Sequence, residues 1–134
     1  MTWEPLLHRL AQLQATWPSP PWTWDARFAA VASTFTAAQE PAIRASAQLA
    51  FPRGWTTSSL VNAPADLQAF AARTGGLRAN QRLLGGDPVS CASLFGLWWP
   101  WGSGDKITLR IGIVGIADDA PPLPQLRALF GLAR

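Results

Sequence analysis

The sequence predicts an α+β fold: an antiparallel sheet of about four to five strands, with N-terminal helices, one short middle helix and a C-terminal helix packed mainly on one face. Stretches of helical period alternate along the chain with stretches of two-residue period. The strand-like stretches are joined by short Gly- and Pro-containing turns, so neighbours should pair antiparallel, because parallel neighbours need long crossovers. The chain has 134 residues and is 49% apolar, which reads as one domain over 1–134. A chain of that size buries about two thirds of the surface its unfolded form exposes.

Thr2 is suited to cap a first helix, with Glu4 and Pro5 in its first turn, where both are favoured. Leu6, Leu10, Leu13 and Trp17 then repeat at helical spacing, and Pro18, Pro20 and Pro21 end the run. Thr23 looks like a second cap, and Trp24, Phe28, Val31 and Phe35 form a stripe at spacings of four, three and four, which predicts a second helix. After Glu40-Pro41 the period changes. Ile43, Ala45, Ala47, Leu49 and Phe51 alternate with Arg44, Ser46, Gln48 and Ala50, which predicts a strand. Pro52-Arg53-Gly54 reads as a turn, and Trp55 to Val61 as the returning strand.

Asn62 can cap a short helix through Asp66, Leu67 and Phe70, closed by Gly75-Gly76. Leu77 to Leu84 fits either a strand, with Arg78, Asn80 and Arg82 on one face, or a helical continuation. Gly85-Gly86-Asp87-Pro88 breaks the chain, and Val89 to Trp99 reads as a buried strand. Lys106 to Ile116 alternates most clearly, with Ile107, Leu109, Ile111 and Ile113 on one side. Asp118 to Pro122 is a loop, and Pro124 starts a last helix with Leu126, Leu129 and Phe130 inward. By element order alone the arrangement is loosely similar to small roadblock-like and secretion-chaperone-like α+β folds, with no sequence motif behind the likeness.

The chemical inventory is thin. His8 is the only histidine and Cys91 the only cysteine, so neither a zinc-ligand spacing nor an intramolecular disulfide is available. Cys91 lies in an apolar run and reads as a buried, inert thiol. Asp118-Asp119 is the one adjacent carboxylate pair, and neighbours on an extended chain point apart. Gly102-Ser103-Gly104-Asp105-Lys106 lacks phosphate-loop spacing and precedes a strand rather than a helix. No catalytic, metal-binding or cofactor-binding residue is expected, and no enzyme is indicated. The N-terminus shows no signal-peptide core and no stretch is long enough to span a membrane, so a cytoplasmic location is expected.

Aromatic and basic residues carry what functional signal there is. The chain holds eight Trp and no Tyr, and ten of its eleven basic residues are Arg, for a net charge of +3. Trp and Arg are the residues most enriched at binding hot spots. One reading is therefore a protein-binding or self-associating module, with a homodimer as the commonest form, contacting its partner through Trp98 and Trp101 at the tip or through an uncovered sheet edge. Neighbours on a strand face opposite sides, which places Trp99 with Phe95 and Leu97 and is expected to turn it inward, leaving Trp98 or Trp101 exposed. The other reading is single-stranded DNA or RNA binding, with Arg44, Arg78, Arg82 and Arg110 sharing the outer sheet face beside a stacking indole. Neither a membrane nor a small-molecule ligand is indicated.

Overall fold

A computed structural model describes residues 4–18, 21–86, 88, 92–115 and 122–132. The elements run α1 (Glu4–Thr16), β1 (Thr23–Asp25), β2 (Ala30–Thr36), α2 (Glu40–Ala47), β3 (Arg53–Trp55), α3 (Ala65–Arg73), β4 (Arg82–Gly85), β5 (Ser93–Pro100), β6 (Lys106–Val114) and α4 (Pro122–Leu129). Six strands form one sheet in the order β1-β2-β6-β5-β4-β3, and every pairing is antiparallel. The α+β class and the antiparallel sheet agree with the sequence reading; the sheet has six strands rather than four to five.

Two adjacent segments exchange their predicted identities. The stretch 23–35 is not a helix but the β1–β2 hairpin, with Thr23 paired to Ala32 and Asp25 to Ala30. β2 buries Val31 on one side and Ala30 and Ala32 on the other, so the two-residue alternation expected of a half-buried strand is lost. The stretch 43–51 is not a strand, since α2 runs from Glu40 with Pro41 in its first turn. Its buried residues are Ile43, Ser46 and Ala47, followed by Ala50, which is an i, i+3, i+4, i+7 helical face made largely of small side chains. Trp55 to Val61 does not continue as a strand either. β3 ends at Trp55, and Thr56 turns the chain, its backbone N–H donating to Ser59 Oγ at 2.9 Å. The ambiguous stretch 77–84 resolves into an exposed turn followed by β4.

Helices cover both faces of the sheet. On one face, Leu6, Leu10 and Leu13 of α1, Ile43 and Ala47 of α2, and Leu126 of α4 pack on Val31, Phe35, Leu94, Trp98, Leu109 and Ile111. On the other, Leu67, Phe70 and Ala71 of α3 pack on Trp55, Leu83, Phe95 and Leu97. Each fully buried Leu in these layers contributes about 1.5–3 kcal/mol. Trp17 and Trp22 belong to an aromatic cluster. Trp17 lies 4.7 Å from Trp22 and 6.0 Å from Phe35, and Trp22 lies 4.5 Å from Phe130. The Trp17 indole N–H is satisfied by Ser33 Oγ at 2.9 Å, so the ring is buried without an orphaned donor. The Ser46 hydroxyl donates to the Leu13 carbonyl at 2.9 Å, which satisfies one of the open carbonyls of α1 and joins it to α2.

The tryptophan run splits as strand parity requires and Trp101 is exposed as expected, but Trp98 and Trp99 exchange their expected burial. Trp98 turns into the larger core and is 4% exposed. Trp99 turns to the α3 face and is only half-buried, edge-on to Phe28 at 5.5 Å. Parity distinguishes the two faces, and helix placement decides which face is deeper. No helix among the described residues is long and apolar enough to cross a membrane.

Candidate functional site

On the face covered by α1, α2 and α4, a pocket of about 250 Å3 opens between α2 and the outer strands β4 and β3. Its lining includes Arg44 and Gln48 from α2, Phe51 and Pro52 from the corner that follows, Gly54 from β3, Arg82 and Leu84 from β4, and Trp98 from β5.

Each side chain has a local reason for its position. Arg44 follows Glu40 by one helical turn, and its Nε donates to Glu40 Oε2 at 2.6 Å, in the favourable order with the acid nearer the N-terminus. That pair holds the guanidinium over the Trp98 indole, 5.5 Å from the ring centroid. Trp98 is fixed from below by Phe35, with ring centroids 5.4 Å apart. Arg82 stands directly opposite Trp98 in the β4–β5 register, half-buried, and has no hydrogen bond or ion pair among the described residues. Gly54 stands opposite Leu84, and a Cβ there would sit 3.0 Å from Leu84 Cδ2. Its φ is not among the positive ones, so the glycine serves here by leaving space.

Of the four arginines expected to share a face, Arg44 and Arg82 meet in this pocket, and they meet on Trp98. Arg78 lies in the exposed turn before β4. Arg110 lies on the α3 face, 5.1 Å from the Trp99 ring and paired through Nε with Asp25 Oδ2 at 2.7 Å. Burial pushes the Asp25 carboxyl up, but the hydrogen bond and charge of Arg110 outweigh it and hold the group below its ordinary value. Trp101 is 45% exposed at the β5–β6 hairpin tip, its indole N–H donating to Thr108 Oγ1 at 2.9 Å and Lys106 lying over its ring. Thr108 pairs with Trp99 across the strands, so Trp101 leans to the α3 face and does not share a surface with Trp98. The sequence reading missed Gln48, Phe51 and Gly54. The first two sit in the segment misread as a strand, and Gly54 in a triplet that reads as a turn.

A second cavity, of about 440 Å3, lies between the β1–β2 turn and α3, with Arg27, Phe28, Phe70 and Arg73 in its lining. Both of its arginines are exposed residues that stack on rings at the rim, whereas Arg82 is half-buried. Among the described residues no group of three or more His, Cys, Asp or Glu side chains could hold a metal ion. His8 is exposed on α1, and Cys91, Asp118 and Asp119 lie outside the described residues. Compared with family models, curated proteins and solved structures, the chain matches none.

Proposed function

We propose that this chain is a non-enzymatic protein-binding module and that its contact site is the arginine–indole pocket between α2 and β4. One observation carries the reading: Arg82 is half-buried, lines a pocket and has no acidic partner among the described residues. A guanidinium that faces a pocket with no opposite charge beside it offers an incoming carboxylate a charge-assisted, two-pronged contact. Arg44 adds a second cation whose Nε is already engaged by Glu40, leaving its terminal nitrogens without a partner among the described residues. The volume, about 250 Å3, falls below the roughly 300–1,000 Å3 of pockets that enclose whole small-molecule ligands, and suits one side chain of a partner.

Single-strand nucleic-acid binding draws less support. It needs cations spread along one face and rings open to stacking bases. Here Arg110 is paired on the opposite face and Trp98 is 4% exposed. A photo-crosslinking residue placed at Gln48, on the exposed rim, tests the reading in the source cells. A discrete protein adduct that disappears with Arg82→Glu is the expected result; a nucleic-acid adduct, or one indifferent to Arg82, refutes it. Light scattering across a wide concentration range shows whether that partner is a second copy of the chain.

A further inference from the structure

We infer that the partner reaches this pocket as an extended segment, lying beside β3 as a seventh strand and placing a carboxylate side chain over Gly54, between Arg44 and Arg82. This rests on the pocket being the contact site. β3 is the outermost strand, with β4 as its one neighbour among the described residues. An added strand would pair along that edge, the usual route by which a peptide extends a sheet.

Register then selects the chemistry. Side chains on a strand alternate between faces, and cross-strand neighbours share a face. The residue opposite Gly54 therefore points to the side where Gly54 and Leu84 lie in the pocket. The missing side chain at Gly54 leaves the way open, although its backbone does not demand a glycine. What that residue meets is Arg82, which has no acidic partner among the described residues, and the terminal nitrogens of Arg44, over an apolar floor of Trp98, Leu84 and Phe51. Such a site takes a carboxylate on a short methylene stem, which is a Glu or Asp side chain. The neighbours of that residue turn to the other face, where Trp55 offers apolar contact. β3 has only three residues, so few main-chain bonds can form and the acidic anchor must supply most of the selectivity.

Amide NMR on the full chain tests this with three probes: end-capped Thr-Val-Glu-Val-Thr, its Gln analogue, and N-acetylglutamate N-methylamide. The Glu peptide should shift the Arg53–Trp55 amides and the Arg82 side-chain resonance, and bind at least tenfold tighter than either other probe. Arg82→Gln should erase the preference for Glu over Gln. Gly54→Ala should weaken the Glu peptide severalfold while the chain stays folded, because the crowding atom is the free end of Leu84. If the single residue binds as well as the peptide and the β3 amides stay still, strand addition is overturned and the pocket remains the contact site. If neither acidic probe moves Arg82, both ideas fall. Equal binding of the Glu and Gln peptides removes the claim of charge selection.

Discussion

Replacing Trp98 by Ala should cost far more stability than replacing Trp101 by Ala, although the two residues lie three apart in a run of indoles. Trp98 is 4% exposed, with Phe35 below it, Arg44 above it and Arg82 and Leu109 across the strands. A buried indole removes about 200 Å2 from water, worth about 5 kcal/mol at 25 cal/mol per Å2. The unfolded chain already hides part of that area, which lowers the figure, and incomplete collapse of the cavity raises it. A loss of about 4 kcal/mol is therefore expected for Trp98→Ala, a large part of the 5–15 kcal/mol typical of a domain. Trp101 is 45% exposed and mainly forfeits its hydrogen bond to Thr108, about 1 kcal/mol. Urea denaturation followed by circular dichroism reads both. With a slope near 2 kcal/mol per M, the midpoint should fall by about 2 M for Trp98→Ala and about 0.5 M for Trp101→Ala, with the slope unchanged. Equal shifts, or a shift below about 0.5 M for Trp98→Ala, would refute the placement of Trp98 in the core and of the pocket floor it forms.

Other perturbations have equally definite outcomes. Gly112→Ala should destabilise by about 2–3 kcal/mol in the same assay, because the new Cβ would lie 2.5 Å from the ring of Phe95, which is 1% exposed and held against Phe70 at 4.1 Å. Ala29→Gly should stabilise by about 0.5–1 kcal/mol: Ala29 holds φ of 50° in the β1–β2 turn, and relief of about 1–2 kcal/mol outweighs the extra chain entropy of glycine. Asp25→Asn should cost about 1–2 kcal/mol at neutral pH by stranding Arg110. Since the Asp25 carboxyl is held below its ordinary value of 3.8, its contribution is fully present above that value and is lost as pH falls through the lower folded one. The wild type and Asp25→Asn should therefore converge in stability in acid; a gap that persists there would contradict the ion pair.

The parts of the fold with a strong apolar period were legible. Leu6, Leu10 and Leu13 announce α1, and Ile107, Leu109 and Ile111 announce β6, where the deeper core needs large side chains at every inward position. The segments that failed are those where small residues carry the packing. Ser46 and Ala47 on the buried face of α2, with Ala50 just after it, leave no hydrophobic stripe, and the segment shows a chance two-residue alternation. Covering both faces of β2 erased its alternation in the same way, and Trp24 and Phe28 extended the false helical spacing across a turn. The site suffered from both errors. Arg44, Arg82 and Trp98 were legible as residue types suited to contact, but their convergence depends on α2 being a helix and on β4 lying next to β5. Arg110 could not be separated from them in sequence, because its partner Asp25 is 85 positions away.

Once a protein adduct from Gln48 has been identified, its affinity by titration calorimetry for the wild type, Arg82→Gln and Trp101→Ala decides between the pocket and the hairpin tip as the contact. The pocket predicts at least a tenfold loss for Arg82→Gln, about 1.4 kcal/mol or more, and little change for Trp101→Ala. A partner that binds Arg82→Gln as tightly as the wild type, and loses its affinity with Trp101→Ala, would contradict it.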